Sequence, residues 1–420
     1  MLQAPVSDLP DHDDIRPLQV VGAGPAGIGL VLALCNRIAN NQNNSAEQQI
    51  LDRLRIFEAS SRPGGKMARY QINANTSAPD VVQGIKQGNP FFDLRQQYLA
   101  LPEVQSKLIA LSKIGELMVE PLASRIMDFL GERLKCETRV ARISIEKTGI
   151  SSFDDQGHLL ARSRSLLFCC GGNDQLMGAL EPFADRWEGS EQFLLRTDLE
   201  GLPAGKSPIV IIGASHSAFS CAWRLLFDPL FRIFAQGREI IILQRRDQVK
   251  LRVTAEFASS RNIDYDPDQD VCPVTGIVFF NAGLRKDAKQ LYLDIRDGIE
   301  KRVTMVMIKQ ISDQQALLQK AGLILQATGF APALPKIEKE GCPIQIGESN
   351  HSGELFERGK QQKIEGLFGM GLGFNILPEG RDRGEPSFYG GIHGFQSYPL
   401  TIAPPIIDHL VARYQQEAII

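Results

Sequence analysis

The chain has 420 residues, 43% of them hydrophobic and 23% charged, with a formal net charge of -3. Length alone favours two to three domains, and this composition is that of a globular protein rather than a disordered chain or a membrane bundle. The dispersed lysines and arginines give no electrostatic footprint for nucleic acid.

The start, Met1 to Pro17, mixes acids with prolines instead of setting a basic stretch before an apolar run, so it is not read as a secretory signal. No stretch is long and apolar enough to span a bilayer. The cysteines, seven in all and irregularly spaced, fit a reducing compartment, and the cytoplasm is the expected location.

Leu18 to Val21 is an apolar strand that runs into Gly22-Ala23-Gly24-Pro25-Ala26-Gly27, and Ile28 to Ala39 continues as an apolar helix. Strand, glycine turn and helix in this order suit a dinucleotide: Gly22 makes the tight turn, Gly24 lets the backbone approach a diphosphate, and Gly27 lets the helix pack on its strand. The diphosphate would rest on the helix amino terminus among Pro25, Ala26 and Gly27. A second strand, Leu54 to Glu58, ends in an acid, and Glu58 is the expected ribose ligand. The separation from Gly24 to Glu58 is longer than usual, and the polar stretch Asn40 to Gln49 accounts for it as a surface loop.

After that acid comes Ala59-Ser60-Ser61-Arg62-Pro63-Gly64-Gly65-Lys66. Here the chain resembles the two-dinucleotide-binding flavoproteins, a superfamily that includes flavin monooxygenases and disulfide reductases. The resemblance implies FAD, with Ala59, Gly64, Gly65 and Lys66 near its ribityl and phosphate region. It also implies that an asparagine after the glycine pair, Asn73 or Asn75, supports oxygen chemistry at the flavin.

From Thr138 to Gly172 the pattern alternates, turns at Asp154 to Gly157, and returns through Arg164 to Phe168. This reads as a small meander closed by a buried strand. Cys169-Cys170-Gly171 then stands where the family commonly has Ala-Thr-Gly, with Gly171 beside the FAD. The two cysteines are read as buried small hydrophobes, with redox chemistry as the lesser alternative.

Pro203 to Pro208 forms a linker, and the pattern repeats: strand Ile209 to Ile212, turn Gly213-Ala214-Ser215-His216-Ser217-Ala218, helix Phe219 to Phe227. This variant resembles the NADPH site of flavin monooxygenases, with Gly213, Ser215, His216, Ser217 and Ala218 as its cofactor-facing residues. The next strand, Glu239 to Leu243, leads to Gln244-Arg245-Arg246 in place of an acid. Guanidinium groups hold a 2'-phosphate that a carboxylate would repel, so NADPH is preferred over NADH. A solvated strand end is the alternative for Arg245 and Arg246. Residues 247 to 319 read as charged and strand-rich, with strands at Gly276 to Asn281, Gln290 to Ile295 and Arg302 to Ile308.

Gly322 to Phe330 contains Ala327-Thr328-Gly329 after an apolar strand, which resembles the family's crossover back to FAD, with Thr328 and Gly329 at the cofactor. Ile364 to Phe368 opens into Gly369-Met370-Gly371-Leu372-Gly373, where Gly371 closes the flavin site although the family's aspartate is missing. Phe388 to Pro399 precedes a helix beginning near Ala403, and His393 in it is a candidate acid or base, with packing at a domain seam as the alternative.

The fold class implied is α/β: a Rossmann-like FAD domain (1–205 and 321–420) into which a Rossmann-like NAD(P)H domain (206–320) is inserted. No C-x-x-C or C-x-x-x-x-C pair occurs, which disfavours a disulfide reductase. The implied function is an FAD- and NADPH-dependent monooxygenase that uses molecular oxygen to oxidise a small molecule at nitrogen or sulfur. The alternatives are a flavin reductase or dehydrogenase serving an organic or protein acceptor, and a nucleotide-binding flavoprotein without turnover.

Overall fold

The computed structural model describes residues 15–40, 45–105, 109–348, 351–360, 362–390 and 394–417. Two parallel sheets organise them. In the first, five strands run parallel in the order Leu134–Lys135, Arg55–Phe57, Ile15–Val21, Leu159–Phe168 and Gln362–Gly369. The long strand Leu159–Phe168 serves two partners along one edge. Its start pairs antiparallel with Gly149–Phe153 of the meander, and its end pairs with Gln362–Gly369. Helices Pro25–Asn40, Glu120–Leu130 and Ala403–Glu417 contribute to the one apolar core on this sheet. The strand Leu18 to Val21 is buried on both faces, as a parallel sheet between layers requires.

The second sheet is parallel throughout, in the order Val303–Met307, Ile240–Gln244, Ile209–Ile212, Leu323–Gln326 and Trp187–Gly189. Its central strand faces two cores by strict alternation. Ile209 and Ile211 pack with Phe219, Ala222 and Leu225 of helix His216–Phe227, whereas Val210 and Ile212 pack with Leu180, Phe183 and Leu318 on the other side. The strands of this sheet reach beyond the 206–320 segment on both sides, because Trp187–Gly189 and Leu323–Gln326 pair in it. A two-stranded antiparallel ribbon, Gly172–Asn173 with Ala331–Pro332, carries the chain into the second sheet and back out.

Two expected elements differ. Ser45–Arg53 is a helix and not a loop, since Ala46, Ile50 and Leu51 give it one buried face on which it packs; residues 41–44 lie outside the described residues. Gln290 to Ile295 belongs to helix Lys286–Arg296 and not to a strand. Leu291, Leu293 and Ile295 alternate as in a strand, but Ala288, Leu291 and Tyr292 are buried at helical spacing, and that face packs under helix His216–Phe227. At Gly276 to Asn281 only Ile277–Val278 is extended.

Candidate functional site

The first glycine turn is held by backbone contacts from three directions. Gly22 has φ +103 and its N–H donates to the Phe57 carbonyl at 2.8 Å. A side chain there would run into the Cys169 carbonyl, so both conformation and space require glycine. Pro25 then opens the helix, where its missing N–H costs nothing. Gly64 donates to the Ala23 carbonyl at 2.8 Å, and a Cβ on Gly65 would lie 2.9 Å from Pro25 Cδ and 3.3 Å from Gly24 Cα. The Gly64-Gly65 turn therefore lies directly on the Gly24-Pro25 turn. Gly371 approaches from the far side, where a Cβ would lie 3.1 Å from that of Ala26.

Glu58 follows strand Arg55–Phe57 and is half-buried. Its carboxylate accepts from the Ala23 N–H at 2.8 Å, the Ser60 N–H at 2.9 Å and the Ser60 hydroxyl at 2.6 Å. With about four lone-pair positions on a carboxylate, roughly one stays open for a further donor. Ala59 beside it is exposed.

The second turn repeats the first atom for atom at its key contact. Gly213 has φ +122, donates to the Leu243 carbonyl at 3.0 Å, and leaves no space for a side chain against the Ala327 carbonyl. Cys169 and Ala327 are thus equivalent, each hanging from the central strand by its N–H, to Val21 at 2.7 Å and to Ile212 at 2.8 Å. Gly171 and Gly329 follow with φ +74 and +101, and open space lies where a side chain would be. The Cys169-Cys170-Gly171 segment occupies in the first sheet the place that Ala327-Thr328-Gly329 occupies in the second. Burial holds the Cys169 thiol well above its usual range and pushes that of Cys170 up to about 12, so neither is a ready thiolate.

Ser215 stands at the N-cap position of helix His216–Phe227 with no side-chain capping hydrogen bond, Ser217 is half-buried and Ala218 is fully buried. His216 Nε2 accepts the Arg285 backbone N–H at 3.1 Å, which fixes the proton on Nδ1. Burial first, and Arg285 second, hold its pKa down at about 4. Arg245 and Arg246 follow strand Ile240–Gln244 and are exposed, and neither has a hydrogen bond or ion pair among the described residues. Thr328 is exposed and accepts from Gln326 Nε2 at 2.9 Å.

Between the two sheets the chain is cross-linked by polar contacts that the sequence did not single out. Lys66 Nζ reaches Glu191 Oε2 at 2.5 Å, and Tyr70 donates its hydroxyl to Glu191 Oε1 at 2.8 Å. Glu191 in turn donates its N–H to Asp174 at 2.8 Å. Burial, and then Glu191, hold the Tyr70 phenol protonated, and burial raises the Asp174 carboxyl. Asn73 Nδ2 donates to Asp287 at 2.7 Å, and Lys286 Nζ donates to the Thr76 carbonyl at 3.0 Å. The start of helix Lys286–Arg296 is thereby set against segment 73–77. Asn75, on the same segment, is half-buried with no hydrogen bond among the described residues. His393 lies outside the described residues.

The first glycine turn lies against Glu58, Gly64-Gly65 and Gly371, the second stands in the other sheet, and Lys66 turns aside to Glu191. Tyr70, Asp174 and Glu191 carry no motif. Their one signal is that Glu191 follows a strand end at Gly189, where a sheet of this type presents its carboxyl edge.

No protein-family model matches the chain. A curated relative, the CMP-5'-(3-aminopropyl)phosphonate hydroxylase of Streptomyces rubellomurinus, is 23% identical over 446 residues, covering 95% of this chain and 98% of its own. Among solved structures, the ornithine hydroxylase of Pseudomonas aeruginosa is 14% identical with TM-score 0.55, covering 96% of this chain and 100% of its own. The FAD-bound cadaverine monooxygenase of Erwinia amylovora is 14% identical with TM-score 0.54, covering 96% and 94%. The chain has the fold of the two-dinucleotide-binding flavoproteins, from the first glycine turn to the last helix.

Proposed function

We propose that this protein is an FAD-dependent, NADPH-using monooxygenase that hydroxylates a small amine at nitrogen. The observation that carries this reading is the pair of equivalent glycine turns at Gly22 and Gly213, each opening a helix of 12 residues or more. Each turn leaves the N–H groups of the helix start pointing at one place, where a diphosphate belongs. The first is covered by Gly64-Gly65 and Gly371, all at positive φ, with Gly65 close against Pro25 and open space at Gly171. That cradle fits FAD. Gly22, Gly24, Pro25, Ala26 and Gly27 would hold its diphosphate, the open lone pair of Glu58 its ribose, and Gly64, Gly65, Gly171 and Gly371 its backbone-lined remainder.

At the second turn, Gly213, Ser215, Ser217 and Ala218 would face the NADPH diphosphate, with Arg245 and Arg246 on the 2'-phosphate. The neutral His216 would keep that turn in place through Arg285 instead of touching the cofactor. We place the inserted nicotinamide domain at 206–320 together with its flanking strands Trp187–Gly189 and Leu323–Gln326. Bound FAD supplies hydride acceptance from NADPH and oxygen activation. The chain's own contribution is to fix both nucleotides, to keep water out of the junction, and to present Asn75 as a hydrogen-bond donor at the reacting centre. Asn73 would position segment 73–77 through Asp287. An amine as substrate is supported by the relatives, whose names specify ornithine, cadaverine and CMP-5'-(3-aminopropyl)phosphonate.

The test is anaerobic reduction of the FAD-loaded protein by NADPH, then admission of oxygen with 3-aminopropylphosphonate and analysis for the hydroxylamine. Reduction followed by hydroxylamine formation supports the proposal. Reduction with hydrogen peroxide as the whole product points to a reductase, and failure to take up FAD ends the flavoprotein reading.

A further inference from the structure

The junction between the two sheets concentrates cations that the cofactor roles above do not use. Phe280 is their meeting point. Arg252 lies over its ring with the guanidinium carbon 4.0 Å from the centroid, and Arg285 donates Nη2 to its carbonyl at 2.9 Å. Lys289 closes the group by donating to the Arg252 carbonyl at 3.3 Å. Backbone pairing, Arg252 N–H to the Leu284 carbonyl at 3.0 Å, holds the two arginine-bearing segments side by side.

Acids stand nearby, Asp80 and Glu385 attracting Arg252 and Glu385 attracting Arg285, yet their hydrogen bonds go to other groups. Asp80 accepts from Gln83 Nε2 at 2.6 Å, Asp287 accepts from Asn73, and Glu385 accepts the N–H groups of Asn281 and Ala282 at 2.9 Å each. None forms an ion pair with Arg252, Arg285 or Lys289 among the described residues. The Arg252 guanidinium has no hydrogen-bond acceptor there, and Arg285 Nε is buried without one. Burial, and then Arg252, press the Arg285 pKa down to about 10; burial likewise lowers those of Arg252 and Lys289. The carboxylates offset part of this charge but leave the Arg252 guanidinium and Arg285 Nε without acceptors, and half-buried donors left unpaired are costly. A tetrahedral oxyanion matches a pair of guanidinium groups and an ammonium better than a planar group does.

We propose that Arg252, Arg285 and Lys289 form a subsite for a phosphoryl or phosphonyl group carried by the organic substrate. The proposal rests on the monooxygenase reading, because that reading puts the substrate at this junction, beside segment 73–77. The nicotinamide nucleotide is the other source of such an anion. Its diphosphate already has the helix start at His216 and its 2'-phosphate the exposed Arg245 and Arg246, which leaves this cluster to the substrate.

The experiment titrates the FAD-loaded protein with 3-aminopropylphosphonate and with propylamine, following the flavin absorbance, and repeats both with Arg252→Gln and Lys289→Gln. Wild type is expected to bind the phosphonate about tenfold or more tightly than propylamine, and Arg252→Gln to erase that preference. The NADPH dependence of anaerobic flavin reduction is the control and should stay within about twofold. Equal affinity for the two amines in wild type overturns the proposal, as does unchanged phosphonate binding in both variants. A parallel loss of NADPH affinity also overturns it, and assigns the cluster to the dinucleotide. Should Arg252→Gln fail to fold, Lys289→Gln decides, because its ammonium lies at the end of a flexible side chain. Wild type that NADPH does not reduce would refute the monooxygenase reading itself, an outcome separate from all of these.

Discussion

Arg245 and Arg246 stand in solvent at the end of strand Ile240–Gln244, with no partner among the described residues. Exposed charges of that kind contribute little to stability, so their removal should act on cofactor choice alone. Replacing both with alanine is expected to raise the KM for NADPH about tenfold to a hundredfold and to leave that for NADH nearly unchanged, measured by steady-state flavin reduction. His216 makes the opposite case, a half-buried group whose state matters to folding. Its pKa of about 4 in the folded chain lies below the roughly 6.5 of an unfolded histidine, so between those values the unfolded chain takes a proton that the folded one refuses. Stability from this residue is full above about pH 6.5 and falls as the pH drops toward 4. Denaturant titrations across that range should show His216→Gln with a shallower loss than wild type.

At the scale of elements, whatever followed from a local rule was legible in the sequence. The strands at Leu18 and Ile209 are short apolar runs before glycine, and both turns demand glycine for the same steric reason, so strand, turn and helix were read in order. Helix Lys286–Arg296 was misread because Leu291, Leu293 and Ile295 satisfy a period of two, while the burial that decides for a helix comes from helix His216–Phe227, far away in sequence. Helix Ser45–Arg53 was missed for a related reason: its anchoring Ile50 and Leu51 lie just past the polar stretch that suggested a loop. The contacts between sheets were not legible at all, since Lys66, Tyr70, Asp174 and Glu191 meet only through tertiary placement. Short helix Ser190–Leu195 depends on them, with Glu191 9% exposed and bound to both Lys66 and Tyr70. Glu191→Ala should cost about 2 kcal/mol in chemical denaturation, and Glu191→Gln less, because an amide oxygen still accepts from Tyr70.

For the whole molecule, the two sheets carry separate apolar cores, one on the first and two on the second, and the nucleotides would lie where each sheet presents its helix start. A ligand that binds only the folded state stabilises it by mass action, about 2.7 kcal/mol at a hundredfold excess over Kd. Added FAD is therefore expected to raise the melting temperature by a few degrees, and NADPH alone by less, as read by tryptophan fluorescence. Similar folds serve different electron acceptors, so the fold by itself does not select the substrate. The ribbon of Gly172–Asn173 and Ala331–Pro332 carries both chain crossings between the two sheets, and its strands run side by side in opposite directions. Every other tie across the junction is noncovalent, Lys66 with Glu191, Asn73 with Asp287 and Glu385 with the Asn281 and Ala282 N–H groups among them, so with those contacts broken the ribbon alone would still join the two halves.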